Sequence, residues 1–367
     1  MEFVLSDLCE KVATARATER PVCIRGGGTK SFYGEPGERD TVHDIAILDL
    51  AAYQGIINYQ PSELVITARA GTLLSDIETA LDEQGQMLAF EPPRFGPTST
   101  IGGCIASGLS GPRRMAAGSA RDFMLGAKLL DSSGTLLRFG GEVMKNVAGY
   151  DVSRLLTGSM GTFGALVEVS IKVSPKPFQE TTLVLDADEA QALSYFSKWR
   201  GLPLPISATV WSGNQSDSGG RLHVRLSGSE PALHNGVKRI GGEALAPVDA
   251  AAFWNSLRDQ THPFFRATPL WRAAVPPKTP PLNAGPTLIE WNGGQRWLSA
   301  VDSGTTFRAD VALRGGNATL YHHDIATTPG LPVFHPMEPA LRQINLRLKQ
   351  ELDPAGIFNP KRLFPDF

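Results

Sequence analysis

The chain alternates short apolar runs with breaks marked by glycine and proline, and the period of each run assigns it an element. From Leu5 to Thr18 the spacing of Leu8, Val12 and Ala15 predicts a helix with Ser6 at its N-cap. Pro21 interrupts, and Val22 to Ile24 predicts a strand running into Arg25-Gly26-Gly27-Gly28-Thr29-Lys30. Leu64 to Arg69 is apolar and β-branched, a second strand ending at Gly71. Thr72 then caps a helix on which Leu73, Ile77 and Leu81 recur every fourth residue, and Gly85 stops it. Phe123 to Leu130 and Thr135 to Phe139 read as strands joined at Ser133-Gly134. Val167, Val169, Ile171 and Val173 alternate with Glu168, Ser170 and Lys172, which predicts a strand buried on one face.

Pro175 and Pro177 mark a boundary, and the pattern changes from about Thr181. Helices are expected over Ala187 to Trp199 and Ala232 to Ile240, and strands over Ser207 to Trp211 and Leu222 to Leu226. Leu288 to Trp291 and Arg296 to Ala300 form a hairpin around Gly293-Gly294, after an exposed loop at Pro276, Pro277, Pro280 and Pro281. This rhythm predicts a small α+β layer. Leu341, Ile344, Leu348 and Leu352 predict an amphipathic tail helix ending at Asp353-Pro354.

Composition narrows the class. The 367 residues are 42% hydrophobic and 20% charged, which excludes global disorder. Thirty-five Lys and Arg against 37 Asp and Glu give a net charge of -2, which argues against a nucleic-acid binder. Cys9, Cys23 and Cys104 contain no CxxC, so neither a disulfide framework nor a structural zinc site is expected, and a reducing compartment is. Glu2 and Asp7 stand where a secretory signal would need a basic then apolar start. No apolar run approaches the roughly 18 residues of a spanning helix. The expectation is a cytoplasmic protein, with peripheral attachment at the inner membrane through partners left open. Glycine is over-represented, with 38 in all and 14 between Gly96 and Gly164.

Three glycine motifs carry candidate chemistry. Gly26 to Gly28 can converge backbone amides on a phosphate, with Thr29 adding a hydroxyl, or can form an ordinary turn. The run is neither a G-x-G-x-x-G fingerprint nor a Walker A loop, since Ser31 replaces the last glycine and no Gly-Lys-Ser/Thr occurs. Pro97-Thr98-Ser99-Thr100-Ile101-Gly102-Gly103-Cys104 places hydroxyls before paired glycines, which suits close approach to a ligand or tight packing. The third is Lys145-Asn146-Val147-Ala148-Gly149-Tyr150-Asp151, followed by Gly158-Ser159-Met160-Gly161-Thr162-Phe163-Gly164.

In this order the segments resemble the flavin domain of the vanillyl-alcohol-oxidase/p-cresol-methylhydroxylase superfamily, in its D-lactate and glycolate dehydrogenase branch. Gly111-Pro112-Arg113-Arg114, Gly140 to Asp151 and Leu352 to Pro360 are similar to the E-type FAD-binding subunits of bacterial glycolate oxidases. The resemblance covers residues 1 to 178 and the tail. It implies an α+β fold: a PCMH-type FAD-binding domain of two α+β subdomains (1–178), a short α+β cap (179–325), and a C-terminal helix and tail (326–367) that return to the flavin domain.

By position, the resemblance implies that Arg25, Gly26, Gly27, Gly28 and Thr29 hold the FAD pyrophosphate. Thr98, Ser99, Gly102 and Gly103 would line the pyrophosphate and isoalloxazine. Ser107, Gly108 and Asp122 would follow the ribityl and adenosine side, Gly161, Gly164 and Val167 the adenine end, and Asn359 would approach the ring from the tail. Thr29, Lys30 and Ser31 stand where relatives that bind flavin covalently carry a His, so non-covalent FAD is expected.

The resemblance further implies removal of two electrons from a small 2-hydroxy acid, glycolate to glyoxylate. It also implies a hetero-oligomer with a sister D-type flavin subunit and an iron–sulfur subunit. The substrate-side motif His-x-Gly-Asp-Gly-Asn-x-His of the catalytic relatives is not in this sequence. Substrate oxidation is therefore expected in the sister subunit, with electron transfer here. A self-sufficient dehydrogenase and a scaffold that has lost FAD remain as alternatives. Of the histidines only His322-His323-Asp324 clusters, and neighbours in a strand face opposite ways, so no metal is expected. The tryptophans Trp211, Trp254, Trp271, Trp291 and Trp297 suit a core or a partner surface. Arg113 and Arg114 suit an FAD phosphate, an acidic partner or a solvated loop. No catalytic residue is assigned; Tyr150 and Asp151 can act chemically or order their loop.

Overall fold

The computed structural model describes residues 1–36, 45–141, 151–213, 219–323 and 330–365. Within these the chain forms two units: Met1–Leu109 with Ser119–Pro175 and Pro336–Phe367, and Ser110–Gly118 with Lys176–His335.

The first unit opens with α1 (Glu2–Ala17), which buries Leu8, Val12 and Ala15 as their spacing predicts. It starts earlier than expected and leaves Ser6 inside the helix, because nothing before Ser6 breaks helical geometry. β1 (Val22–Arg25) pairs in parallel with β2 (Ala46–Asp49). Next come β3 (Ile56–Gln60), β4 (Val65–Arg69), α2 (Leu74–Asp82), β5 (Gln86–Met87) and α3 (Ile101–Ser107). Thr72 does not cap α2. Its Oγ1 donates to Arg69 O at 2.7 Å and accepts from Gly55 N at 2.8 Å, holding the β4 turn instead. The buried stripe of α2 is Leu74, Ile77 and Leu81, one residue off the expected register at its start.

After α3 the segment carrying α4 (Arg114–Ala117) belongs to the second unit. The chain then resumes the first unit with α5 (Ala120–Phe123), β6 (Met124–Leu130), β7 (Leu136–Gly140), α6 (Val152–Leu155), β8 (Ala165–Lys172) and β9 (Ser174–Pro175). The antiparallel sheet runs β3-β4-β8-β6-β7, with the expected β6–β7 hairpin at one edge. β8 is covered on both faces more than its alternation suggests. Ser170 is buried because its hydroxyl meets Thr67 Oγ1 on β4 at 2.9 Å.

The second unit follows as β10 (Gln179–Asp186), α7 (Glu189–Arg200), β11 (Ile206–Gly213), β12 (Gly220–Gly228), α8 (Glu230–Ile240), β13 (Glu243–Ala244) and α9 (Pro247–Arg258). β14 (Leu270–Ala274), β15 (Thr287–Glu290), β16 (Gln295–Ser299), α10 (Gly304–Leu313) and β17 (Asn317–His322) complete it. The layer is larger than expected: one eight-stranded sheet in the order β13-β10-β12-β11-β15-β16-β14-β17. The strands missed here were β10, β13, β14 and β17, whose partners lie far away in sequence. Trp211, Trp254, Trp271 and Trp297 are all buried. Trp291 is half-buried, donates its Nε1–H to Gly111 O at 3.1 Å and carries the Arg114 guanidinium 4.4 Å above its ring. Arg113 is buried and pairs with Glu180 at 2.5 Å, so both arginines bind the 110–118 segment into this unit.

The second unit also buries ionisable rings. His223 stacks on Phe253 with centroids 3.9 Å apart. Burial first, then Arg221 and His262, push its pKa from 6.5 down to about 4. Burial lowers His262 and His322 in the same direction. A depressed histidine stabilises the fold fully above its unfolded pKa and loses that contribution as pH falls through the folded one. Acidification from pH 6.5 to about 4 is therefore expected to remove about 3 kcal/mol through His223, at about 1.4 kcal/mol per pK unit. Urea unfolding across that range should show the loss, and His223→Phe should flatten the curve.

The chain returns to the first unit with α11 (Pro339–Leu352). Its apolar stripe is not the buried face: Leu341 and Ile344 are exposed, whereas Lys349 is buried. The Lys349 ammonium donates to Asp353 Oδ2 at 2.6 Å, Thr162 O at 2.7 Å and Phe358 O at 3.0 Å. Beyond it Ile357 and Phe358 enter the core formed by Leu8, Val12, Val22, Leu48, Leu130 and Val167.

Candidate functional site

A cleft in the first unit gathers four stretches of chain that are distant in sequence. It is lined by residues 22–31 from β1 and its loop, Thr100 and Gly103 from the start of α3, and Met160, Asn359, Pro360 and Arg362. A second lobe shares Ile24, Gly26, Thr100, Gly103, Met160 and Asn359, and adds Leu50, Ala70, Gly102, Ala106, Gly161 and Leu166.

The glycine loop is shaped by backbone contact. A Cβ on Gly27 would lie 1.6 Å from Thr98 O, so only glycine lets the two loops meet. Thr98 Oγ1 then donates to Gly27 O at 2.9 Å, and Ser31 Oγ to Gly28 O at 2.8 Å. With those carbonyls occupied, the loop presents amides: among the described residues, nothing accepts from the N–H groups of Gly26, Gly27, Gly28 or Thr29. Successive unpaired amides at the mouth of a cleft are an anion cradle. The start of α3 is different. Ile101 N donates to Thr72 O, Gly102 N to Ala70 O and Gly103 N to Thr100 Oγ1, so these amides serve the fold.

The far wall comes from the tail. Asn359 Oδ1 accepts from Ile24 N at 2.9 Å while its Nδ2 donates to Met160 O at 2.6 Å, so one side chain joins β1 to the 158–164 turn. Gly161 has φ +73°, and a Cβ there would lie 2.7 Å from Asn359 Nδ2. Arg362 reaches back to donate to Glu35 O at 2.9 Å, Ser31 O at 2.8 Å and Tyr33 O, fixing the loop after the glycines. Asn359→Ala is expected to cost about 2 kcal/mol, since it leaves a part-buried amide and carbonyl without partners. Urea unfolding of the variant checks it.

Of the residues singled out from sequence, Arg25, Gly26, Gly27, Gly28, Thr29, Gly102, Gly103, Gly161 and Asn359 line the two lobes. Arg25 lies beside Asp49, Nη2 to Oδ2 at 3.8 Å. Thr98 and Ser99 stand behind the glycine loop. Five others line neither lobe. Ser107 donates to Cys104 O at 2.9 Å inside the turn of α3, and Gly108 caps that helix. Asp122 forms a capping box with Ser119 on α5. Gly164 backs onto Leu130 O, and Val167 is core, its carbonyl accepting from Ala70 N at 2.8 Å. Asp151 caps α6 by accepting from Arg154 N at 3.3 Å, whereas Lys145 to Tyr150 lie outside the described residues. Asp324 of the histidine cluster lies outside them too.

Sequence reasoning missed Thr100, Met160, Lys30 and Arg362 as lining residues. Thr100 and Met160 lie within motifs it did find and Lys30 directly follows the glycine run, but nothing local distinguishes Arg362 from any other arginine in the sequence. The Cys104 thiol is no nucleophile, since burial pushes its pKa up to about 12.

Comparison with known proteins agrees with this chemistry. The FAD binding domain family matches residues 5–140. The chain is 41% identical to glycolate oxidase subunit GlcE of Escherichia coli (strain K12), over 98% of this chain and 97% of that one. It is 32% identical to glycolate oxidase subunit GlcD of Bacillus subtilis (strain 168), but over 49% of this chain and only 37% of that one. Mitochondrial D-lactate dehydrogenase [cytochrome] 1 of Saccharomyces cerevisiae is 30% identical over 40% of this chain and 25% of its own. Among solved structures, alkyldihydroxyacetonephosphate synthase shares the fold, with a TM-score of 0.68 and 15% identity over 98% of this chain and 76% of that one. The cleft fits FAD on its own terms: unpaired amides, hydroxyls and cations meet a pyrophosphate, and Ile24, Leu50, Met160 and Leu166 give apolar wall. With identity sustained across nearly the full length of both chains, this chain belongs to the GlcE family of FAD-binding oxidoreductase subunits.

Proposed function

We propose that this chain is the FAD-binding subunit of a multi-subunit oxidase that converts glycolate to glyoxylate. In this reading its flavin relays electrons between a catalytic sister flavin subunit and an iron–sulfur subunit. The observation that carries it is the end-to-end identity with GlcE, joined to a cleft whose donors suit a pyrophosphate. The cofactor, when bound, supplies two-electron redox chemistry. The chain's own residues bind and orient it: the 26–29 amides take the anion, and Asn359 and Arg362 hold the walls in register. Attachment to the inner membrane through partners belongs to the same proposal. No helix among the described residues is long and apolar enough to cross a membrane.

The test compares the isolated chain with the co-purified complex. Glycolate should bleach flavin absorbance in the complex and leave that of the isolated chain oxidised. Bleaching of the isolated chain at the rate of the complex would replace the relay with a self-sufficient dehydrogenase. A complex lacking iron, or lacking a second flavin subunit, would remove the proposed electron path. A complex in which this chain carries no flavin would make it a scaffold.

A further inference from the structure

We propose that Lys30 is a cofactor-binding residue whose ammonium, held by Ser99 and Thr29, pairs with the pyrophosphate of FAD. The inference rests on the reading that the cleft holds FAD, and it adds a residue that the glycine motif does not contain.

Lys30 lines the cleft directly after the amide cradle. Its Nζ lies 2.6 Å from Ser99 Oγ and 3.4 Å from Thr29 Oγ1, and 5.6 Å above the Phe95 ring. Phe95 is in turn packed edge-on against Phe32 at 5.2 Å. The cation is thus located by contacts on two separate loops. An ammonium only donates, so both hydroxyl oxygens act toward it as acceptors and their protons point elsewhere. Ser99 is 1% exposed, so its proton has little access to bulk water. Lys30, Ser99, Thr29 and the amides of Gly26 to Thr29 together make a cluster of donors with one charge. Carbonyl oxygens that could compete, those of Gly27 and Gly28, are already taken by Thr98 and Ser31. Such a cluster selects an anion with several oxygens, and the phosphates are the anionic part of FAD. The neutral isoalloxazine offers no comparable charge.

The experiment titrates the full-length apoprotein with FAD, FMN and riboflavin, following flavin fluorescence at several salt concentrations. Lys30→Met should weaken FAD binding about 10- to 100-fold, the range of a lost charge-assisted hydrogen bond. It should flatten the salt dependence and leave riboflavin affinity unchanged. Lys30→Arg should retain most of the FAD affinity, and Ser99→Ala should lose roughly 5-fold, as for one neutral hydrogen bond. Thermal unfolding without flavin shows whether each variant folds, and Ser99→Ala carries the test if Lys30→Met does not. Unchanged FAD affinity in Lys30→Met overturns the inference, and so does an equal loss of riboflavin affinity, which would put Lys30 at the ring or in a purely structural role. If the unaltered protein binds no FAD, the reading of the cleft itself fails, which is a different result from either.

Discussion

Gly27→Asp should purify colourless. A Cβ at this position would lie 1.6 Å from Thr98 O and 2.5 Å from Thr98 C, and both atoms are backbone. Neither can rotate away, so one loop must retreat by more than an ångström. That separates Thr98 Oγ1 from Gly27 O, disturbs the neighbouring Ser99–Lys30 contact and turns the amide cradle. The aspartate also adds a negative charge where the cleft gathers donors. Overpacking costs about 1–3 kcal/mol, and repulsion of a phosphate adds to it, so FAD affinity should fall at least about 100-fold. Absorbance after gel filtration and reconstitution with added FAD measure the loss. Gly27→Ala separates the causes: it keeps the clash and omits the charge, and most of the loss should remain. An alanine variant with unchanged FAD affinity would show that this loop contact does not shape the site.

The second large effect lies outside the cleft lining. Lys349→Met should reduce the stability of the first unit by about 3–5 kcal/mol, the range for breaking a buried ion pair from one side. The methionine fills the space but leaves Asp353 charged at 2% exposure. It also strands the Thr162 and Phe358 carbonyls. Burial pulls the Lys349 pKa down while Asp353 pulls it back, so the pair is held together against desolvation. Asp353 has other duties, accepting from Ile357 N at 3.2 Å and Phe358 N at 2.9 Å to turn the tail into the core. Adding Asp353→Asn should therefore recover part of the loss, because it removes the orphan charge and keeps an acceptor for one of the two amides. Urea denaturation of both variants measures this. Since Asn359 follows directly, flavin should also leave Lys349→Met at a lower temperature than it leaves the unaltered protein.

Legibility followed the range of the interaction. Leu8, Val12 and Ala15 are buried where their helical period puts them, and the hairpin at Ser133-Gly134 formed because its strands are neighbours. The stripe on α11 misled for the same reason. Leu341 and Ile344 have the right period but stay exposed, and the buried face is chosen by Lys349. Period reports which positions share a face, not whether anything covers it. In the second unit, Glu290 is a carboxylate on β15 that no local pattern marks for burial. It is buried because Trp297 Nε1 at 2.6 Å and Gln295 Nε2 at 2.9 Å donate to it from the paired strand.

The sequence by itself determined α1, β1, β4, α2 and the strands β6, β7 and β8 of the first unit, the glycine positions where backbone can approach closely, and a resemblance strong enough to imply FAD. Those are local properties: side-chain period, absence of a Cβ, and short motifs in order. Only the tertiary structure decided that Gly27 meets Thr98, that Asn359 bridges Ile24 and Met160, and that Arg362 holds the loop at residues 31–35. It also decided that the 26–29 amides stay unpaired while those opening α3 are consumed. Each depends on groups far apart in the chain competing for the same hydrogen-bond partners, and that competition is settled only once the chain has folded and the distances are known.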